Sequence, residues 1–236
     1  MRDAVLFNGA NALDFQDIRT NVIRIPEVIT RIRQAQKIWE QHHSDGFDLA
    51  NFIGSDDRIF MGNIKLKNLA ASIVQVGLLD RLMKIRKRPE FLVGPQNGDA
   101  PLLVAAGVTP FDEMVRTSQA LTVLRPSAPV QLAQTPVLSG VSLTEYAAYR
   151  WTIDADGGSY QLTDSPAMEL PKVIRRLIDE HDVKQFVNIG PGNLLLNRFE
   201  PEYELLDLQV LESIDLDPML NWFWPQMREH EVVQAQ

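Results

Sequence analysis

The chain reads as an α/β protein built on a mostly parallel sheet flanked by helices, and three observations predict this. Short apolar runs that suit buried strands alternate with longer runs of helical period, the pattern of strand–helix–strand units. Apolar runs pass directly into glycine-bearing turns: Ala4 to Phe7 into Asn8-Gly9, Phe91 to Val93 into Gly94 to Gly98, and Gln185 to Ile189 into Gly190-Pro191-Gly192. The 236 residues, 45% of them apolar, are enough to bury one sizeable core, so residues 1–236 are expected to form a single domain.

The elements follow in order. Ala4 to Phe7 is a short buried strand. Ile25, Val28, Ile29, Ile32, Ala35 and Ile38 recur at helical spacing and predict a helix from Ile25 to Trp39. Leu66, Leu69, Ile73, Val76 and Leu79 predict another, continuing to about Lys84 despite Gly77. Phe91 to Val93 is a strand, with a helix from about Pro101. Thr109 as N-cap and Pro110 at the first position open a helix reaching Leu121. Arg125 to Thr135 is interrupted by proline and is linker-like, and a strand falls within Val137 to Leu143. Trp151 to Asp154 and Ser159 to Leu162, joined by Ala155-Asp156-Gly157-Gly158, form a β-hairpin, because Asp-Gly-Gly supplies the positive φ angles of a tight turn. This excursion, residues 149–163, is either a surface hairpin tucked against the domain or a ribbon that docks a partner. Leu170 to Glu180 is a helix before the strand Gln185 to Ile189. Residues 200–236 are acidic and then aromatic: seven acids and no Lys or Arg from Glu200 to Asp217, then Met219-Leu220-Asn221-Trp222-Phe223-Trp224.

The segment from Phe91 to Ala105 has the layout of a nucleophile elbow: a strand, the turn Gly94-Pro95-Gln96-Asn97-Gly98, and a helix. A G-x-S-x-G elbow exposes a serine at its centre, whereas Gln96 stands here, and an amide cannot form an acyl ester. By itself the segment reads as an ordinary glycine-rich strand–helix loop.

Taken with the rest of the chain, it resembles the malonyl-CoA:acyl-carrier-protein transacylases and the acyltransferase domains of polyketide synthases. Val5 to Leu13 is similar to that family's first strand and its F-P-G-Q-G-S-Q loop, and Leu69 to Lys84 to its long helix before the elbow. Gly94 to Gly98 stands in the place of G-H-S-L-G. Ala106 to Arg116 is similar to A-G-V-x-x-F-x-x-A-V-R, and Phe186 to Leu195 to E-(V/I)-G-P-G-K-V-L. The matches come in family order over residues 4–124 and 164–198. The resemblance implies an acyltransferase large-subdomain-like fold, with the hairpin added.

It also implies which groups are gone. The family's nucleophile falls on Gln96, its oxyanion glutamine on Ala10 beside Gly9, and its carboxylate-binding arginine on Leu121. Its catalytic histidine follows a small ferredoxin-like subdomain, inserted where this chain has only Thr122 to Gln134, a stretch without histidine. Gly94, Gln96, Asn97 and Gly98 are then a vestigial elbow, and Gly9 and Ala10 a vestigial oxyanion loop. Losing one member of such a constellation already leaves only residual catalysis.

Other candidate chemistry is sparse. His42 and His43 diverge by about 100° on a helix and do not share a metal readily, even with Asp45 and Asp48 nearby. His181 and His230 are isolated. Ser139 and Ser142 have no histidine close in sequence to activate them. Gly190-Pro191-Gly192 is an anion-binding turn or a structural one, and its proline removes a donor.

Two surface features bear on partners. Arg81, Lys84, Arg86, Lys87 and Arg88 gather at a helix end, as compensation of the helix dipole or as a docking patch for an acidic carrier protein. Trp222, Phe223 and Trp224 anchor a last helix or form an interface. A net charge of -8 argues against broad nucleic-acid binding. With no cysteine, no apolar run near the roughly 18 residues of a membrane span, and no signal-peptide pattern, a cytoplasmic protein is expected. The sequence thus points to a catalytically inactive acyltransferase-like domain that binds or scaffolds within a polyketide- or fatty-acid-type pathway. It is expected to use no metal and no cofactor, and to partner an acyl carrier protein, another synthase subunit or a second copy of itself. The alternative is an active acyl transferase or hydrolase on acyl-CoA or acyl-carrier thioesters, working through a different site. A third reading is a pocket that senses an acyl group without turning it over.

Overall fold

The computed structural model describes residues 2–7, 15–55, 62–94, 99–107, 109–117, 137–139, 151–153, 160–162, 170–190, 209–213 and 216–219. Among these residues five strands form one parallel sheet: β1 (Arg2–Phe7), β2 (Phe91–Gly94), β3 (Val137–Ser139), β6 (Val183–Ile189) and β7 (Gln209–Glu212), in the order β3-β2-β1-β6-β7. The chain steps outward from β1 to β2 and β3, then returns to the other side of β1 for β6 and β7. This is a doubly wound sheet whose order reverses between β1 and β6. Two further strands, β4 (Trp151–Ile153) and β5 (Tyr160–Leu162), pair antiparallel with Trp151 opposite Leu162 and Ile153 opposite Tyr160. The turn between them, residues 154–159, lies outside the described residues.

Among the described residues seven α-helices accompany the strands: α1 (Phe15–Thr20), α2 (Pro26–His42), α3 (Leu49–Gly54), α4 (Ile64–Ile85), α5 (Asp99–Ala105), α6 (Phe111–Thr117) and α7 (Leu170–His181). Local chemistry sets their ends. Pro26 opens α2, Asp48 caps α3 through the Asn51 amide, and the Asn63 side chain accepts from the amides of Lys65 and Leu66 at the start of α4. The α6 helix begins one residue later than Thr109 and Pro110 suggest: the Pro110 carbonyl accepts from Met114, and the buried Thr109 hydroxyl makes no capping bond. Gly107, at φ +75°, stops α5. Strand parity divides the sheet. Val5, Phe7, Leu92, Val187 and Ile189 join the core with α1 to α6. Their neighbours Ala4, Leu6, Phe91, Val93 and Phe186 are equally buried.

The long α4 is buried from Leu66 to Leu82 along most of its turns and packs on α2. Gly77 lets them meet: a Cβ built there would stand 2.7 Å from the Val28 Cα. Toward the end of α4, charges cross between elements. Arg31 of α2 grips Asp80 at 2.5 and 3.2 Å. Arg81 donates to Asp217, which is 1% exposed, and lies 3.6 Å from Glu27 of α2. Lys84 donates to the same Glu27 oxygen at 2.8 Å. Asp217 also accepts the Met219 amide at 2.9 Å, so residues 216–219 are pinned against α4.

Burial alone would raise the Glu27 carboxyl. The Lys84 hydrogen bond, its own backbone amide and the Arg81 charge outweigh burial and hold it below its ordinary 4.5. As the pH falls, the unfolded chain therefore takes up this proton before the folded one does. The stabilisation is fully present above 4.5 and is lost as the pH drops through the lower folded value. Urea midpoints should fall between about pH 6 and about pH 3, and less steeply in Glu27→Gln than in the parent. Parallel slopes for the two proteins would remove Glu27 from this account.

Candidate functional site

All neighbouring strands of the main sheet are parallel, so their carboxyl ends lie on one edge. Register brings four of them to a common row: Leu6 pairs with Val93 and with Asn188, Phe7 with Ile189, and Gly94 with Ser139. From this edge the chain departs into residues 8–14, 95–98, 140–150 and 191–200. In doubly wound sheets ligands bind outside the carboxyl ends, where the strand order reverses. Here that place lies between β1 and β6, with β2 on the far side of β1.

Of the strand–turn–helix read from the sequence, the strand and the helix are present as β2 and α5, and residues 95–98 between them lie outside the described residues. Of the vestigial elbow, Gly94 is the last residue of β2, while Gln96, Asn97 and Gly98 lie outside the described residues, as do Gly9, Ala10 and Leu121. Thr122 to Gln134, residues 192–195, His230 and Trp222 to Trp224 lie outside them too.

Two features of this edge escaped sequence reasoning. Ser139, set aside for want of a nearby histidine, occupies the register position beside Gly94. Gln75, in the buried middle of α4 at 1% exposure, donates through Nε2 to the Ile189 carbonyl at 3.3 Å. The residues are 114 apart in sequence, so no local signal marks the contact.

The opposite, amino edge is tied by side chains. Arg2 donates to the His181 carbonyl at 3.0 Å and lies 3.4 Å from Glu90, whose amide donates to Asp3. Arg86 donates to Gln185 at 2.6 Å, joining the α4–β2 loop to the start of β6. Arg88 donates to the Ala105 carbonyl at 3.2 Å, closing the end of α5. The basic cluster of the sequence therefore divides. Arg81 and Lys84 hold α2 and the 216–219 segment, Arg86 and Arg88 tie the amino edge, and Lys87 is exposed. The loop carrying the last three stands at the edge of the sheet away from the elbow.

Two of the described histidines, His43 and His181, pack locally. His43 stacks on Trp39 with ring centroids 4.0 Å apart. Asp45 accepts the Trp39 indole N–H and the Phe47 amide, and that amide holds its carboxyl below the ordinary 3.8. Asp48 caps α3, and His43 and Asp45 pack the loop between α2 and α3 through Trp39 and Phe47. No cluster of metal-ligating side chains occurs among the described residues. His181 packs against Phe91 at the amino edge, where burial and then the Arg2 charge push its imidazole below 6.5. Among the described residues no helix is long and apolar enough to cross a membrane.

No protein-family profile matches the chain, and no curated protein matches it in sequence. Its fold matches solved structures. The malonyl-CoA–acyl-carrier-protein transacylase of Coxiella burnetii is 12% identical, with a TM-score of 0.68 over 93% of this chain and 95% of that one. The corresponding Clostridium perfringens transacylase is 14% identical, with a TM-score of 0.62 over 100% of both chains. A malonyl-transacylase in complex with its type II polyketide synthase acyl-carrier protein is 13% identical, with a TM-score of 0.64 over 90% of this chain and 95% of that one. At these identities the likeness is one of fold: this chain has the α/β fold of the malonyl-CoA:acyl-carrier-protein transacylases.

Proposed function

We propose that this chain is a catalytically inactive acyltransferase-like domain that works by binding at the carboxyl edge of its sheet, as a scaffold in a polyketide- or fatty-acid-type assembly. The observation that carries the reading is Gln96, which falls in sequence among the four residues between β2 and α5, where an elbow nucleophile would stand. An amide there forms no acyl ester, and Ala10 and Leu121 supply neither a side-chain donor nor a charge. An acyl carrier protein or another synthase subunit is the partner proposed, and the transacylase–carrier complex of the same fold supports that choice. Arg81, Lys84, Arg86 and Arg88 already hold partners inside the chain, so the docking proposed here does not rest on that cluster. Trp222, Phe223 and Trp224 remain its candidate interface residues.

Incubation with malonyl-CoA or acetyl-CoA should leave the intact mass unchanged. A stoichiometric acyl adduct that chases onto a carrier protein would sink the inactive reading. One observation favours an active enzyme as the second reading: Ser139 stands beside Gly94 on the elbow side of the carboxyl edge. An adduct mapped to the peptide containing Ser139 would decide for it.

A further inference from the structure

A carboxamide buried in an apolar interior is costly unless it is hydrogen-bonded, and packing alone would be served by leucine or methionine. Gln75 is such a group. It lies in α4 among Ile73, Val74, Val76 and Leu78, all nearly inaccessible, and its Nε2 donates to the carbonyl of Ile189, the last residue of β6. That carbonyl belongs to the planar peptide shared with Gly190. Holding the oxygen toward α4 fixes the whole plane and aims the Gly190 N–H away from α4. The plane lies where the strand order reverses, and the chain leaves it into Pro191 and Gly192.

We propose that Gln75 is a positioning residue of the carboxyl-edge site: through the Ile189 carbonyl it sets the Ile189–Gly190 peptide, with which the chain leaves β6. The inference rests on the reading of that edge as the binding site. The glycine at position 190 makes the requirement specific. Glycine permits the Ile189–Gly190 peptide many orientations, so a side chain must choose one.

The test is Gln75→Met, which keeps length and bulk and removes the donor. In the parent protein the backbone order parameter of Gly190 should sit near the rigid value of about 0.85, and in the variant below about 0.6, with Val5 and Val187 unchanged. A Gly190 that stays rigid in the variant, a Gly190 already loose in the parent, or a fall shared by all three positions would each overturn the proposal. Should the variant fail to fold, the parent decides: the Gln75 side-chain amide protons should exchange more slowly than those of other glutamines, and equal rates overturn it. Acetyl-CoA supplies the second arm. If it raises the melting temperature of the parent, the rise should be lost in Gln75→Met, and an equal rise in both confines Gln75 to the core. A parent protein indifferent to acetyl-CoA counts against thioester binding at this edge, while the order parameters still decide on Gln75.

Discussion

Arg81→Met is expected to lower the unfolding free energy by about 3 kcal/mol, near the lower end for a broken interior ion pair. The arginine keeps 24% of its side chain exposed, whereas its partners keep 1% at Asp217 and 7% at Glu27. Removing the cation therefore strands carboxylates that are far drier than the group removed. Lys84 still reaches Glu27, so most of the loss should fall on Asp217. A double-mutant cycle separates the parts. Asp217→Asn keeps an oxygen for the Met219 amide while discarding the charge, so the pair Arg81→Met with Asp217→Asn should be more stable than Arg81→Met alone. Urea unfolding of the four proteins measures this. Losses that simply add would mean that the two side chains are not coupled.

Gly77→Ala should also destabilise, by about 2 kcal/mol, although helix propensity argues for the reverse. Replacing a mid-helix glycine with alanine ordinarily gains about 1 kcal/mol. Here the new methyl would meet the Cα of Val28 at 2.7 Å and its amide nitrogen at 3.1 Å. Those are backbone atoms and cannot rotate aside, so α2 and α4 must part along their seam, an overpacking cost of up to about 3 kcal/mol. The sign of the change in thermal midpoint is the result to look for. A stabilised Gly77→Ala would show that the helices are not in contact at this point.

These two cases show why some of the fold was legible in the sequence and some was not. The periodic runs of α2 and α4 repeat over four turns or more, and β1, β2 and β6 read as apolar runs beside glycine, so their positions follow from local pattern. Gly77 appeared in the sequence as a flaw in a helix, because its reason lies 49 residues away in Val28. The short helices Phe15–Thr20 and Leu49–Gly54 cover six residues each, under two turns, too few for a period to show. The strand Gln209–Glu212 was hidden in a segment whose acids dominate its composition. It pairs with β6 at the edge of the sheet, where acids on either side of a short apolar core are tolerated. The basic cluster was legible only as a cluster. Residues adjacent in sequence face different partners, and only the fold separates Arg81, held by Asp217, from Arg86, held by Gln185. At the site, β2 and α5 were legible because strand and helix follow one another in sequence. Ser139 beside Gly94 and Gln75 against Ile189 were not, since each pairs residues that only the sheet brings together.

The ties across the amino edge have a consequence for how the chain tolerates change. Arg2, Arg86 and Arg88 lash strand starts and a helix end at the edge opposite the elbow, and the core between the edges is apolar. Mutational robustness is therefore unevenly distributed. Substitutions in the turns after β1, β2 and β6 leave these lashings untouched, so those turns can drift, or be exchanged for others, while the frame persists. A protein so arranged can shed one chemistry and take up a different role without passing through an unfolded ancestor.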